Sequence, residues 1–115
     1  MLRKAIIISV KGLILTKKEK NTLIKYKPWG VILFSRNIQN IVQVKNLTSS
    51  IRKIMKDKHY PILIDQEGGN VNRLNSITNF NLFSQKFFGE LYKYDKNFNL
   101  KFSLYINKVS SLLNC

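Results

Sequence analysis

Three short polar segments follow apolar runs along the chain, and the third carries the residue types best suited to chemistry. Asp65 comes directly after the apolar run 62–64, and the glycine pair at 68–69 allows a sharp turn of the backbone. Arg73 lies eight residues beyond Asp65 and is close enough in sequence to return to the same place. A carboxylate that accepts hydrogen bonds from hydroxyls, beside a guanidinium that donates them, suits a polyol such as a sugar. Asp65 and Arg73 are therefore candidate sugar-binding residues.

Each of these residues also has an ordinary structural interpretation. Asp65 is equally well placed to cap a strand end or a turn, Glu67 to be solvated, and Arg73 to be a surface charge. Burial of an unpartnered carboxylate is costly, so a buried Asp65 would need hydrogen-bond donors. The single histidine, His59, lies in a charged stretch before an apolar run, at the wrong end of a strand for a site, and is expected to be solvated. The residue types alone leave both interpretations open.

The sequence predicts neither a metal site nor a cofactor. The single cysteine, Cys115, excludes a cysteine-based zinc site and a disulfide within these 115 residues. No Gly-x-Gly-x-x-Gly segment follows a strand and no Gly-Lys-Ser/Thr occurs, so no phosphate loop is expected. No apolar run approaches the roughly 18 residues of a membrane span, so no membrane partner is expected. A lone thiol and the lack of a signal-peptide cleavage site favour the cytoplasm.

The elements that must position Asp65 and Arg73 alternate between strand and helix. Continuous apolar runs predict the strands, and 3.6-residue stripes predict the helices. Thr16 and Glu19 have the spacing of a capping box, and Asn40 caps a second helix. The predicted strands are 4–10, 31–34 and 62–64, with an extended piece at 13–15. The predicted helices are 17–26 (ended by Pro28 and Gly30), 41–55, 83–94 and 98–113.

This alternation predicts an α/β fold in one domain, residues 1–115. Strands joined by helices are parallel, with right-handed crossovers. Ligands of parallel α/β folds bind at the carboxyl ends of the strands. Three loops are therefore expected to meet at one edge of the sheet: 11–12, 35–37 and 65–69.

The net charge raises a different class of function. Twenty Lys and Arg stand against six Asp and Glu, which gives a formal charge of +14 and suggests a polyanion partner. The lysines are scattered, however, and no run of five basic residues occurs. The enrichment in Lys, Ile and Asn is also what an AT-rich coding sequence produces. We therefore do not expect nucleic acid as the main partner, and a small basic nucleic-acid-binding module remains the alternative function.

Two segments resemble a known family. Ile-Leu-Ile-Asp-Gln-Glu-Gly-Gly-Asn-Val-Asn-Arg-Leu at 62–74 resembles the strand-loop signature of family 3 glycoside hydrolases, above all the bacterial β-N-acetylglucosaminidase (β-hexosaminidase) branch. Gly-Val-Ile-Leu-Phe-Ser-Arg-Asn at 30–37 is similar to that branch's preceding strand and loop. The resemblance extends over about residues 5–113. Asn70 departs from it, where relatives usually have a basic residue, as does Trp29, where many have glycine.

The resemblance implies a fold, a substrate and a role for each candidate residue. The fold is a TIM-type (β/α)8 barrel, of which residues 1–115 would form the truncated N-terminal part, with only the first strands and helices. The substrate carries terminal β-linked N-acetylglucosamine, in peptidoglycan recycling, and Asp65 and Arg73 bind that sugar. The family's nucleophilic aspartate and acid/base histidine loop have no counterpart here, so no catalytic residue is predicted.

The isolated chain is therefore expected to be inactive, because retaining hydrolysis needs a nucleophile and an acid/base. The implied partners are a saccharide containing N-acetylglucosamine and the missing C-terminal half of the barrel. A non-catalytic carbohydrate-binding module is a further alternative.

Overall fold

A computed structural model describes residues 2–66, 69–77, 79 and 81–112, with side chains of the last helix as far as residue 104. The chain divides into two compact units, the sheet unit (Met1–Asp65) and the helical unit (Gln66–Cys115). The elements, in chain order, are β1 (Lys4–Ser9), α1 (Lys17–Tyr26), β2 (Pro28–Leu33), a 3-10 turn (Ser35–Asn37), α2 (Ile41–Met55), β3 (Ile62–Ile64), α3 (Gln85–Tyr94) and α4 (Lys96–Leu112).

The sheet unit contains a parallel sheet in the order β1-β2-β3 among the described residues. Ile8 pairs with Val31, and Val31 pairs with Ile62, so one row of side chains crosses all three strands. Parallel neighbours need crossover connections, which α1 and α2 provide, and these two helices pack against each other. The predicted α/β class is confirmed. The strand order is common to a TIM barrel and to half of a doubly wound sheet, so the partial barrel stays a prediction.

The start of β2 differs from its prediction. It begins at Pro28 rather than Val31, and it includes both residues that were expected to end α1. The helix ends at Tyr26, as predicted, but the residue that closes it is Lys27, which takes the left-handed conformation (φ 47°) and donates its N–H to Leu23 O over 3.0 Å. Pro28 then pairs with Lys4 of β1. Proline is tolerated as the first residue of a strand, so it does not exclude this pairing.

Gly30 stands where β2 and β3 approach each other closely. A Cβ on Gly30 would lie 3.0 Å from the Pro61 carbonyl oxygen and 3.3 Å from Leu63 Cδ1. The glycine therefore marks a strand contact rather than a helix stop. The expected extended piece at 13–15 is not a strand, and its first part, 13–14, is a bend.

The core of the sheet unit lies between the sheet and its two helices. Val31 of β2, Leu23 of α1 and Ile51 of α2 are all fully buried within it. Burial of one such side chain contributes about 1.5–3 kcal/mol. The predicted stripe of α2 is confirmed along most of its length, whereas Ile41 in the first turn is exposed. The core cluster consists of Val10, Leu15, Leu23, Val31, Leu33, Leu47, Ile51, Met55 and Tyr60.

The helical unit is held by aromatic side chains between α3 and α4. Phe102 of α4 contacts the rings of Phe83 and Phe87, at centroid distances of 5.6 and 6.4 Å. Asn99 is buried and donates its side-chain amide to Phe88 O over 2.6 Å, which ties the two helices together. Both helices match their predictions to within two residues at their starts. None of the helices in the described ranges has the length and hydropathy that a membrane span needs.

Candidate functional site

The carboxyl ends of β1 and β2 are tied together by two side chains of the loop after β2. Arg36 Nε donates to Val10 O over 3.2 Å, and Arg36 Nη2 donates to Ser9 Oγ over 3.0 Å. Asn37 Nδ2 donates to the same Val10 oxygen and to Gly12 O, both over 2.9 Å. Two of the three loops that were expected to meet at this edge are therefore in direct contact.

Asn37 is the centre of this connection. Its side chain is fully buried, and its Oδ1 accepts the Phe34 backbone N–H over 2.9 Å. Gln43 of α2 strengthens the connection, because its Nε2 donates to Leu13 O (2.7 Å) and to Asn37 O (3.1 Å). Gln43 Oε1 accepts the Gln39 backbone N–H over 2.9 Å. Each of the two side-chain amides therefore uses both its N–H groups and its oxygen, and the two loops form one hydrogen-bonded support.

A carboxylate anchors the first loop from the side of α1. Glu19 completes the predicted capping box with Thr16, and its Oε1 also accepts the Lys11 backbone N–H over 2.6 Å. Burial acts to raise the pKa of Glu19, but the hydrogen bonds from Thr16 and Lys11 outweigh it, so this pKa lies below its ordinary value. Glu19 therefore remains ionised at neutral pH and fixes the loop that leads from β1 into α1.

Asp65 is the first residue after β3, and its side chain is exposed. Leu33 of β2 pairs with Ile64 of β3, and Ser9 of β1 pairs with Ile32, so the three strands end at one edge of the sheet. Asp65 thus follows that edge, as predicted from its position after an apolar run. The side chain of Arg36 also lies at this edge, with its guanidinium carbon 4.7 Å from the centre of the Phe34 ring.

Arg73 lies in the helical unit, in a turn organised by Gln66. Gln66 Oε1 accepts the backbone N–H groups of Arg73 (2.8 Å) and Leu74 (3.2 Å), and its Nε2 donates to Asn72 Oδ1 over 3.1 Å. Asp65 and Arg73 belong to different units, so the approach of their side chains stays a prediction. Glu67 and Gly68, in the predicted loop 65–69, lie outside the described residues.

Sequence reasoning named the loop 35–37 as a candidate but assigned no role to its residues. The structure adds Asn37 as the support of the edge and Arg36 as a cation lying on it. The available signal was a Ser-Arg-Asn segment directly after an apolar strand. No group of three His, Cys, Asp or Glu side chains suited to a metal ion occurs within the part of the chain that the structure describes.

Comparison with known proteins identifies relatives. No protein-family model matches the chain. A beta-hexosaminidase of Neisseria meningitidis serogroup C is 48% identical over 59 residues, which are 51% of this chain and 16% of the relative. One of Chromobacterium violaceum is 36% identical over 100 residues, or 86% of this chain and 27% of the relative. The chain is a relative of the beta-hexosaminidases.

Solved structures of related enzymes are also similar to this chain. NagZ from Neisseria gonorrhoeae in complex with N-trifluoroacetyl-D-glucosamine is 35% identical, with a TM-score of 0.57 over 66% of this chain and 21% of that one. A glycoside hydrolase family 3 β-N-acetylglucosaminidase from Paenibacillus is 29% identical, with a TM-score of 0.54 over 64% of this chain and 14% of that one. The resemblance seen in the sequence is confirmed. The chain spans about a sixth to a quarter of the length of the curated relatives that it matches.

Proposed function

We propose that this chain forms the N-terminal part of a glycoside hydrolase of the β-N-acetylhexosaminidase type, with Asp65 and Arg73 binding the sugar. One observation carries the proposal: this chain is a relative of the beta-hexosaminidases, and its exposed Asp65 carboxylate follows the carboxyl end of the parallel strand β3. Ligands of parallel α/β folds bind at this end of the sheet.

The two side chains supply complementary hydrogen bonds to a sugar. The Asp65 carboxylate accepts hydrogen bonds from hydroxyl groups, and the Arg73 guanidinium donates to hydroxyl oxygens. Hydrogen bonds to charged groups are roughly twice as strong as neutral ones, so such a pair selects a polyol. The bound analogue in the Neisseria gonorrhoeae NagZ structure supports N-acetylglucosamine as the sugar. Peptidoglycan recycling is the proposed setting.

The proposed architecture around this site is a TIM barrel of which β1, β2 and β3 are the first strands. The register puts Ile7 beside Gly30, and Ile32 beside Leu63, so these residues share the face opposite the core row of Ile8 and Val31. Ile7 is 45% exposed there. Apolar side chains on this second face support the proposal, because inward-facing side chains fill the interior of a barrel.

The 115-residue chain alone is proposed to bind sugar without hydrolysing it. Retaining hydrolysis requires a nucleophilic carboxylate and an acid/base on either side of the scissile bond. Asp65 and Arg73 are both assigned to binding in this proposal, so neither fills those roles. The proposed binding function of the isolated chain is therefore distinct from turnover, and each has its own test.

The binding test is an NMR titration of the full chain with N-acetylglucosamine. Shifts of amide resonances near Asp65 and Arg73 are expected in the unmodified chain, and Asp65→Asn should abolish them. Glu90→Gln, which removes an exposed acid from α3, is the matched control and should leave binding unchanged. Equal shifts in the unmodified chain and Asp65→Asn would overturn the assignment of Asp65.

The turnover test uses a chromogenic aryl β-N-acetylglucosaminide. The 115-residue chain is expected to release no aryl group above the buffer rate. Release that is lost in a second variant, Arg73→Gln, would instead show that the isolated chain is an enzyme. The two tests give separate answers, because binding and hydrolysis are measured independently.

A further inference from the structure

The folded sheet unit gathers basic residues that are far apart in the sequence. The exposed side of α1 carries an open depression of about 540 Å³, lined by Lys17, Lys18, Asn21, Thr22, Lys25 and Tyr26. Lys4 of β1 joins it, because its Nζ lies 5.0 Å from the centre of the Tyr26 ring. Lys25 Nζ lies 5.2 Å from the same ring. We call Lys4, Lys17, Lys18, Lys25 and Tyr26 the α1 basic face.

The positive charge of this face is not neutralised locally. Residues 1–65 contain fourteen Lys and Arg against three Asp and Glu, so they hold most of the net charge. Of the three acids, Glu19 caps the start of α1, Asp57 pairs with Arg3, and Asp65 follows β3. Within the described residues, none of the four lysines of the face takes part in an ion pair. Their repulsion favours the binding of an anion with several charges.

The length of the face suits a chain of phosphates. Lys17 and Lys25 are eight residues apart on one helix, which is about 12 Å along its axis. That distance equals the rise of three to four nucleotides at about 3.4 Å each along one strand. Tyr26 is half-exposed and contacts two of the lysines, which limits the freedom of their long side chains.

We infer that the α1 basic face binds the phosphate backbone of nucleic acid. A membrane surface fits less well, because membrane-binding helices set large apolar side chains beside their lysines. Here the lysines alternate with Asn21 and Thr22, and Ile24 instead lines a separate groove with Leu23 and Met55. The face contains neither Asp65 nor Arg73, so this inference is independent of the proposed sugar site.

The test is fluorescence anisotropy with the full 115-residue chain and labelled nucleic acid of about 20 nucleotides, as single strand and as duplex, over about 50–200 mM salt. The test variant combines Lys17→Gln, Lys18→Gln and Lys25→Gln. The slope of log K against log salt is negative, and each lost phosphate contact reduces its magnitude by about 0.7 for a single strand. The three substitutions are therefore expected to reduce the magnitude of the slope by about 2. A duplex should show a reduction of about 2.7, from about 0.9 per contact.

The matched control removes the same charge from the helical unit with Lys86→Gln, Lys93→Gln and Lys101→Gln, all exposed. It should keep most of the binding and its salt slope.

An equal loss in both variants would overturn the inference, because binding would then follow net charge and not this face. Lack of binding at the lowest salt would overturn it as well. The inference would also be overturned if phosphatidylserine vesicles captured the unmodified chain but not the test variant, while the chain bound no nucleic acid. Circular dichroism must show the same fold for both variants.

Discussion

At the scale of single residues, Asn37 is the side chain on which the edge of the sheet depends most directly. It joins the segment after β1 to the segment after β2 with two hydrogen bonds of 2.9 Å, to Val10 O and Gly12 O, and it accepts a third of 2.9 Å from the Phe34 N–H within its own segment. Its side chain is fully buried. A buried polar group is stabilising only while its partners are present, since each unpaired partner costs about 1–3 kcal/mol. The shape of the candidate site therefore rests on a residue that has no predicted contact with the sugar.

Asn37→Ala should lower the free energy of unfolding by about 2–4 kcal/mol, because it removes the three hydrogen bonds of a fully buried side chain, to Val10 O, Gly12 O and the Phe34 N–H. Urea denaturation measures this change. Asn46→Ala, at an exposed position of α2, is the control and should change stability by less than about 0.5 kcal/mol. Similar effects of the two substitutions would show that Asn37 does not support the edge.

The second residue-scale feature is the pairing of Arg3 with Asp57. The Arg3 guanidinium donates to the Asp57 carboxylate and lies 5.0 Å from the centre of the Tyr60 ring. The hydrogen bond from Arg3, followed by the one from the His59 backbone, holds the pKa of Asp57 below its ordinary value of 3.8. Tyr60 is buried, which raises the pKa of its phenol, and its hydroxyl donates to Pro28 O over 2.9 Å.

The stability contributed by Asp57 should depend on pH. Because its pKa is lower in the folded than in the unfolded chain, the contribution is fully present above the ordinary value of 3.8 and is lost as the pH falls through the folded pKa. The difference in unfolding free energy between the unmodified chain and Asp57→Asn should therefore shrink from about pH 6 to about pH 2. Arg3→Gln should show the same trend. A difference that does not vary over this range would contradict the ion-pair assignment.

At the scale of elements, both helices of the sheet unit end on lysines in the left-handed conformation. Lys27 follows α1 with φ 47°, and Lys56 follows α2 with φ 52°. Glycine is the usual residue at such positions because a Cβ makes the left-handed region unfavourable by about 1–2 kcal/mol. These helix ends therefore store strain, and the hydrogen bonds that close each helix hold them in place.

Lys27→Gly and Lys56→Gly should each raise the free energy of unfolding by about 0.5–1 kcal/mol, because relief of the strain exceeds the greater freedom of glycine in the unfolded chain. Lys20→Gly, inside α1, makes the same chemical change at a helical φ and should lower it by about 1 kcal/mol. Thermal or urea unfolding distinguishes the opposite signs. Destabilisation at all three positions would argue against strained helix ends.

At the scale of the whole molecule, burial is unevenly divided between the helices. α2 contributes five buried residues, including Leu47 and Ile51, whereas α3 contributes none among its described residues. Local opening requires less free energy where fewer apolar contacts are broken. The two units are therefore expected to differ in the stability of their backbone hydrogen bonds.

Amide hydrogen exchange should be slowest in β2 and α2 and markedly faster in α3. Exchange measured by NMR or mass spectrometry at neutral pH gives this ranking directly. Within the helical unit, α4 residues near Asn99 should exchange more slowly than the α3 residues near Tyr94, because Asn99 is buried and hydrogen-bonded whereas Tyr94 is 90% exposed. Equal protection of α2 and α3 would contradict the ranking.

Features with a short sequence signature are predictable from neighbouring residues alone. The capping box of Thr16 and Glu19, the buried stripe of α2 and the position of Asp65 after β3 all depend on residues that are close in sequence. Local hydrogen bonds and the 3.6-residue period produce these patterns, so the residue types within one or two helical turns are sufficient to predict them.

Other features depended on which segments the crossovers bring together. Val10 O and Asn37 are 27 residues apart in sequence, and Lys4 reaches Tyr26 across the first crossover. The start of β2 at Pro28 follows from its pairing with β1, which outweighs the usual role of proline as a breaker. Contacts of this kind depend on the packing of whole elements. Residue spacing predicted an acid at the end of a strand. Only the folded sheet supplied the Asn37 support and the gathered lysines, because both join residues from separate elements.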